Sequence, residues 1–147
     1  MLVNRRKVKI EWGDCDPAGI VFYPRYFAMF DASTHALFEA AGWTKAAMIR
    51  EFEIVGCPMV DTRARFLIPS SFGDEVVFET RVARFGKSSF DIEHKAFKPF
   101  ADGERLAIEA WETRVWTARD PADPARLKSR PIPVAFVERL TSPRGTA

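Results

Sequence analysis

The chain has 147 residues, of which 47% are hydrophobic and 29% are charged, and its formal net charge is +2. Because a domain usually needs about 100 residues or more, we expect a single domain over residues 1–147. The apolar content suffices for a packed core and excludes global disorder. A charge this close to zero argues against a dedicated nucleic-acid-binding protein, which would carry a clear excess of basic residues.

Membrane-bound, secreted and metal-stabilised proteins are also disfavoured. No apolar run approaches the length of about 18 residues that a membrane helix needs. Near the N-terminus, Lys9 and Glu11 interrupt the segment where a signal peptide would have its apolar core. Cys15 and Cys57, the only cysteines, lack the CxxC spacing of a zinc site and are too few for a disulfide scaffold. We therefore expect a cytoplasmic protein with no membrane segment and no metal site.

The first part of the chain predicts a strand, a loop and a long apolar helix. Residues 7–12 alternate polar and apolar side chains, which is typical of a half-buried strand. The glycine- and proline-containing segment 13–19 then breaks regular structure. Pro24 suits the first turn of a helix, and apolar residues recur at spacings of three and four as far as Ala41. Gly42 follows as a plausible stop.

The second part of the chain predicts a sheet. A shorter helix is expected from Thr44 to about Phe52. Strands are predicted at 54–60, 62–68, 75–85, 89–98 and 105–117, and a final short helix at 133–140. The connecting turns are short, which favours an antiparallel meander. One apolar helix and one sheet predict the α+β class, with the sheet curled around the helix. The outer face and edges that such a sheet leaves uncovered favour an oligomer.

Two carboxylates lie in the loop directly before the long helix, at Asp14 and Asp16. The start of a helix presents unpaired N–H groups and the positive end of the helix dipole, which together can stabilise an oxyanion. A carboxylate beside them can attack a carbonyl or activate water. Aspartates are also ordinary turn residues, so the residues alone leave a catalytic loop and a capping loop equally open.

This region resembles the active-site motif of the hot-dog-fold acyl-CoA thioesterases, most closely the Pseudomonas-type 4-hydroxybenzoyl-CoA thioesterase family. The resemblance rests on Asp14-Cys15-Asp16-Pro17-Ala18-Gly19-Ile20-Val21, on Tyr23-Pro24 and Tyr26, on Ile54-Val55-Gly56 with Pro58, and more loosely on Lys87-Ser88-Ser89-Phe90. It implies an antiparallel sheet wrapped around one long central helix. It also implies an aromatic acyl-CoA substrate, with 4-hydroxybenzoyl-CoA favoured, and a homo-oligomer, a dimer of hot-dogs that assembles into a tetramer.

The resemblance assigns roles to residues around the motif. Asp16 corresponds to the catalytic carboxylate, acting as nucleophile or general base, and the Tyr23 backbone N–H to the oxyanion donor. Asp31 corresponds to the residue that binds the phenolic hydroxyl of the acyl group. Cys57 stands near the substrate, where the family has a small hydroxyl residue. The aromatic residues that follow the motif are candidates for the acyl pocket: Phe22, Tyr26 and Phe27, with Trp43 and Met48.

Coenzyme A requires basic groups for its phosphates. The family uses a basic turn between two strands, which here contains Arg84, Lys87 and Ser88. Basic residues also outnumber acidic ones from residue 114 onward, and Arg126, Lys128 and Arg130 are further candidates. Coenzyme A is part of the substrate, so no separate cofactor is expected.

Other polar residues near the motif are expected to be structural. Asp14 is expected to hold the loop through N–H groups. Cys15 is rejected as a nucleophile, because two flanking carboxylates disfavour its thiolate. His35 and His94 are both expected at the edge of the core, although His35 falls on the same helix face as Asp31.

Three other functions remain open. Short-chain acyl-CoA thioesterases of the Tol–Pal-associated type share the Asp-x-Asp-x-x-Gly loop, but commonly carry a histidine where this chain has Phe22-Tyr23-Pro24. Hot-dog enoyl-CoA hydratases also need a histidine after the loop, which this chain lacks. A non-catalytic acyl-CoA sensor would bind without turnover.

Overall fold

The computed structural model describes residues 1–142. The helices are α1 (Tyr23–Ala40), α2 (Lys45–Phe52) and α3 (Val134–Thr141). The strands are β1 (Val3–Lys9), β2 (Met59–Phe66), β3 (Glu75–Phe85), β4 (Ser89–Phe100), β5 (Gly103–Val115), β6 (Thr117–Arg119) and β7 (Leu127–Ser129). A 3-10 turn at Trp12–Asp14 precedes α1. None of these helices is long and apolar enough to cross a membrane.

Five of the strands form one antiparallel sheet in the order β1-β3-β4-β5-β2. Strands β3, β4 and β5 pair as consecutive hairpins, which is the meander that the short turns predict. Strands β1 and β2 therefore lie at the two edges, each paired with one neighbour in the described chain. Strands β6 and β7 form a separate two-stranded ribbon. One antiparallel sheet with segregated helices confirms the α+β class.

Helix α1 packs its apolar face against the sheet. It begins at Tyr23, and Pro24 fits its first turn because the first N–H groups of a helix have no partner within it. It ends before Gly42, whose positive φ of 90° lets the chain leave the helix. Among its buried side chains, Phe30 lies edge-on to Phe78 of β3 with ring centroids 5.8 Å apart. This packing fixes the helix across the sheet.

The buried apolar side chains form two clusters along α1. One contains residues from the N-terminal half of α1, and the other contains residues from its C-terminal half together with α3. Phe136 of α3 packs against Trp116 at 4.8 Å and Phe38 at 5.3 Å between ring centroids. Trp43 and Met48 belong to this second cluster. They are buried core residues and are not among the side chains that line the pockets described below.

A buried polar network interrupts the apolar contacts midway along α1. Thr34 of α1 donates to Glu112 Oε2 of β5 at 3.3 Å, and Arg114 Nε donates to the same oxygen at 2.8 Å. His94 of β4 has Nε2 3.3 Å from Glu112 Oε1 and Nδ1 2.9 Å from Thr80 Oγ1. A proton on Nε2 satisfies both contacts, since the ring then donates to the carboxylate and accepts from the hydroxyl. His94 is fully buried, and so lies deeper than the core-edge position expected for it.

The strand predicted at 62–68 corresponds to β2, which runs from Met59 to Phe66, whereas the separate strand predicted at 54–60 is wrong. Before β2, Gly56 makes only an isolated bridge to Thr117. Pro58 has no N–H to donate to a ladder, which separates this segment from β2. The chain here crosses over the pocket described below instead of extending the sheet.

Strand β1 occupies residues 3–9 and not the predicted 7–12. The sequence pattern missed the first half of β1 because it contains long basic side chains. An edge strand can keep such charged groups exposed and paired with acidic residues. Arg5 donates to Glu104 at 2.7 Å, and Lys7 lies 3.5 Å from Glu75. The ribbon of β6 and β7 was not predicted, since strands of three residues carry too little alternation to be recognised.

We expect Glu112→Gln to lower the free energy of unfolding at pH 7 by about 3 kcal/mol, because it leaves the buried Arg114 without its buried anion. Burial alone raises the pKa of Glu112, but His94 and Arg114 outweigh it and hold the pKa below its ordinary value of 4.5. The stabilisation is therefore complete above that value and is lost as the pH falls through the lowered pKa.

Urea unfolding of both proteins at neutral and acid pH measures this difference. Glu109→Gln on the same strand is the matched control, because Glu109 is partly exposed and lies 3.8 Å from Arg65. We expect that control to cost less than about 1 kcal/mol. An equal loss in both variants, or a difference from wild type that grows toward acid pH, would contradict the role given to Glu112.

Candidate active site

The loop before α1 is held by Asp14. Its Oδ2 accepts the Glu11 N–H at 2.9 Å, and its own N–H donates to Glu11 O at 3.1 Å. Its carbonyl accepts the Phe22 N–H at 2.8 Å, which fixes the end of the loop against its beginning. Asp14 thus uses its polar groups within the loop, as expected from its position.

Asp16 lies at the tip of this loop, half-buried, with one oxygen used locally. Its Oδ1 accepts the Ala18 N–H at 2.8 Å, which is an Asx turn. No hydrogen bond within residues 1–142 engages its other oxygen, Oδ2. The carboxylate lines a cleft of about 360 Å³, together with Trp12, Cys15, Pro17, Gly19 and Phe72. Asp16 therefore brings a carboxylate oxygen without a hydrogen-bond partner among the described residues to the lining of this cleft.

The entrance of α1 leaves one backbone donor unused. The Phe22 N–H bonds to Asp14 O, Pro24 has no N–H, and the Arg25 N–H bonds to Phe22 O at 2.8 Å. Tyr23 is the first helical residue, so its N–H has no acceptor within the helix. The described loop supplies no other acceptor for it. This donor and the positive end of the helix dipole fit an oxyanion.

An apolar pocket adjoins the helix entrance. It has a volume of about 320 Å³ and is lined by Ile20, Val21, Tyr23, Tyr26, Phe66, Ile68, Pro69 and Ser70. Tyr26 is buried and stacks on Phe66 with centroids 5.5 Å apart. Burial raises the pKa of Tyr26 despite opposing hydrogen bonding with Ser70, so its phenol stays neutral. Phe22, by contrast, is exposed beside Tyr23 and does not line this pocket.

Asp31 and Cys57 come together in a different pocket, about two turns or roughly 12 Å further along α1. This pocket has a volume of about 330 Å³ and is lined by Asp31, His35, Lys45, Val55, Gly56, Cys57, Pro58, Met59, Arg114 and Leu127. Asp31 Oδ1 accepts from Arg114 Nη2 at 2.8 Å, while Oδ2 lies 3.7 Å from His35 Nε2. Within one protomer, Tyr23 and Tyr26 thus share a pocket, whereas Asp16 lines a second cleft and Asp31 and Cys57 line a third pocket.

Arg114 is the residue of this pocket that the sequence did not single out. It is only 4% exposed, and its Nη1 donates to Cys57 O at 3.3 Å. Burial alone lowers the pKa of Arg114, but Glu112 and Asp31 more than compensate and raise it, so the guanidinium stays charged. The available signal is that Glu112 and Arg114 occupy inward positions of a strand where apolar residues are normal.

Two other titratable groups of this pocket, Cys57 and His35, are neutral, whereas Lys45 adds a basic side chain to its lining. Burial raises the pKa of the Cys57 thiol to about 12, which makes it a poor nucleophile. Burial likewise lowers the pKa of His35 against the opposing effect of Asp31, so its imidazole is neutral near pH 7. The pocket wall therefore combines the Asp31 carboxylate, held by Arg114, with two neutral groups and the basic Lys45.

The candidate coenzyme A residues of the turn between β3 and β4 line none of these pockets. Arg84 is exposed and donates to Asp91 Oδ2 at 2.9 Å. Lys87 is exposed in the turn between β3 and β4. Ser88 is half-buried, and its carbonyl accepts the Trp116 N–H at 2.8 Å. Arg126 and Lys128 flank Leu127, which lines the pocket of Asp31.

Known proteins share this fold. Residues 10–140 match the Thioesterase-like superfamily. The chain is 33% identical over 134 residues to the 4-hydroxybenzoyl-CoA thioesterase of Pseudomonas sp. (strain CBS-3), covering 88% of this chain and 92% of that protein. It is 30% identical to a crystallised 4-hydroxybenzoyl-CoA thioesterase mutant complexed with 4-hydroxybenzoyl-CoA, with a TM-score of 0.87 over 95% of this chain and 99% of that one.

A third relative is a gentisyl-coenzyme A thioesterase, 27% identical, with a TM-score of 0.77 over 95% of this chain and 100% of that one. These similarities confirm the resemblance seen in the sequence and the hot-dog fold that it implies. The chain therefore belongs to the thioesterase-like superfamily and is a thioester hydrolase.

Proposed function

We propose that this thioesterase hydrolyses an aromatic acyl-CoA, with 4-hydroxybenzoyl-CoA the favoured substrate, to the free acid and coenzyme A. The observation that carries the proposal is the Asp16 carboxylate in a cleft wall, in the same loop that leads to the unused Tyr23 N–H. Two relatives named for hydroxylated aromatic acyl-CoA substrates support this choice of acyl group.

Two routes of hydrolysis use the same groups. In one, an Asp16 oxygen attacks the thioester carbonyl, expels the thiolate of coenzyme A and forms a mixed anhydride that water then cleaves. In the other, Asp16 takes a proton from a water molecule as that water attacks. In both, negative charge develops on the carbonyl oxygen, and the Tyr23 N–H at the positive end of α1 stabilises it.

The acyl group would be recognised by the Asp31 pocket of a second copy, because that pocket lies roughly 12 Å along α1 from the Tyr23 N–H of its own protomer. Asp31 accepts the phenolic hydroxyl there, and Cys57 contributes a neutral wall. Tyr26 and Phe22 offer aromatic surface near the helix entrance. Coenzyme A would place its phosphates near Lys87 and Ser88. Arg84 would then release the Asp91 carboxylate and donate to a phosphate oxygen. The reaction needs no further cofactor, because the thiol leaving group is already part of the substrate.

A short-chain aliphatic acyl-CoA is the second candidate substrate. The pocket around Tyr26 favours it, because its other walls are mostly aliphatic or aromatic carbon. Release of free thiol from a panel of aromatic and aliphatic acyl-CoA thioesters separates the two. A preference for aliphatic chains would overturn the aromatic assignment.

A second copy of the chain would complete the site. Strand β2 is an edge strand whose outer side carries no partner in the described protomer, and it exposes Met59, Val60 and Phe66. Val60 is 63% exposed. Apolar residues on an unpaired edge favour pairing with another sheet, and a dimer built there would bring the partner's loops near the exposed Phe22 and Tyr23. We propose a dimer of hot-dogs that assembles further into a tetramer.

We expect sedimentation velocity to give a multiple of the 16.7 kDa chain mass. Val60→Asp should reduce that mass and lower thioesterase activity at least about tenfold, because a charge on the edge opposes strand pairing. Val134→Asp is the control, since Val134 is 71% exposed at the start of α3, where an acidic residue is tolerated. A fully active monomer would contradict the shared site.

We expect Asp16→Asn to lower the rate of thioester hydrolysis at least about 100-fold, because the amide keeps the Asx turn but can neither attack nor take a proton. Asp120→Asn is a closely matched control. Asp120 also precedes Pro-Ala, and its Oδ1 accepts the Ala122 N–H at 2.9 Å. Stopped assays of thiol release measure both variants, and more than a tenth of the wild-type rate in Asp16→Asn would rule out the assignment.

We expect Asp31→Ala to lower kcat/KM about tenfold for 4-hydroxybenzoyl-CoA relative to benzoyl-CoA, because it removes a charged acceptor for the hydroxyl. Asp102→Ala is the control, since Asp102 also pairs with an arginine, Arg105, at 3.1 Å but lies in the turn between β4 and β5. An equal loss on both substrates would remove the role proposed for Asp31.

A further inference from the structure

Arg114 is held by three acceptors that belong to different parts of the fold. Nε donates to Glu112 at 2.8 Å, Nη1 donates to Cys57 O at 3.3 Å, and Nη2 donates to Asp31 at 2.8 Å. The first two acceptors are buried, whereas the Asp31 side chain is 55% exposed at the pocket. The planar guanidinium therefore presents one fixed edge to the pocket wall.

The position of Arg114 is set by the core and does not depend on Asp31. Its anchor, Glu112, is itself fixed by Thr34 of α1 and by His94 of β4. His94 is fixed in turn by Thr80 of β3. A chain of buried contacts thus runs from the middle of the sheet to the pocket. A guanidinium held in this way can orient a flexible partner.

The partner that it orients is Asp31. Arg114 engages Oδ1 only, and Oδ2 lies 3.7 Å from His35, which is beyond hydrogen-bonding distance. Oδ2 thus keeps its capacity to accept a hydrogen bond from a ligand. Without Arg114, an exposed aspartate on a helix surface would populate several rotamers, and binding would have to order it.

We propose that Arg114 is a specificity-positioning residue, which holds Asp31 in one rotamer so that the pocket selects acyl groups carrying a hydroxyl donor. The acceptor is then in place before the ligand arrives, and an acyl group without a hydroxyl leaves that acceptor unpaired. The inference deepens the proposed function and rests on it for the identity of the acyl group. It assigns to the core network of α1, β4 and β5 a role in ligand choice.

Equilibrium binding in an Asp16→Asn background tests this role without depending on turnover. Calorimetric Kd values for 4-hydroxybenzoyl-CoA and benzoyl-CoA give a preference ratio, which we expect to be about tenfold. Arg114→Lys keeps a charge beside Glu112 but cannot reach Glu112 and Asp31 together as the fork does. We expect it to fold and to lose most of the preference. Arg114→Met should lose the preference as well.

A double-mutant cycle between Arg114 and Asp31 distinguishes a positioning role of Arg114 from a general structural effect. If Arg114 acts through Asp31, adding Asp31→Ala to Arg114→Lys lowers the preference no further than Asp31→Ala alone. Arg105→Lys, which alters an exposed Arg–Asp pair far from the pocket, should leave the ratio unchanged. A full preference in Arg114→Lys, or independent and additive losses in the double variant, overturns the inference.

The outcome is distinguishable from failure of the proposed function. If wild-type protein releases no thiol from either thioester while the Asp16→Asn protein still prefers the hydroxylated ligand through Arg114, the proposed hydrolysis is wrong and the positioning role stands. If wild-type protein hydrolyses both thioesters but neither is preferred in binding, the hydrolysis stands and the positioning role of Arg114 is overturned.

Discussion

The packing of α1 against the sheet is the constraint on which the rest of the structure depends. One helix supplies a large part of the core through Phe30, Leu37 and Phe38, while its start must remain open beside the Asp16 loop. Burial fixes the rotation of the helix, because moving Phe30 out of the core would cost about 3 kcal/mol or more. That rotation leaves Asp31, the next residue, on the exposed side. Core packing therefore sets the positions of both the Tyr23 N–H and the Asp31 carboxylate.

The buried Glu112–Arg114 pair is hard to explain by stability alone. Removing two charges from water costs several kcal/mol for each, and well-packed apolar side chains of similar size often stabilise a core equally well. Here each charge meets several partners, and the pair ends at a pocket wall rather than inside the core. The cost of burying these two charges has a functional explanation if the pair orients Asp31. A carboxylate is held in one position only when the group that donates to it, here Arg114, is itself held.

The sequence predicted those elements that depend on residues close together in the chain. The long helix, the meander of β3 to β5 and the cap of α2 all follow from spacing and turn residues, and Thr44 does accept the Ala47 N–H at 3.1 Å. The Asp14–Asp16 loop was also recognisable, because its residues are contiguous. The partnership of Asp31 with Arg114 was not, since the two are 83 positions apart and only the fold joins them. The first half of strand β1 was missed for a different reason, because its paired charges masked the alternation of polar and apolar side chains.

The aromatic content, 13% of the residues, divides between two uses. Phe30, Phe38, Phe78, Phe90 and Phe136 are fully buried and fill the space between α1, α3 and the sheet. Trp12, Phe22, Phe66 and Phe72 are instead exposed and surround the loop and the helix entrance. Such side chains are poorly placed for a protomer alone in water, because each leaves a large apolar area hydrated. These exposed aromatic side chains, beside the separate pockets of one protomer, support the dimer proposed above, in which a second copy would close the site.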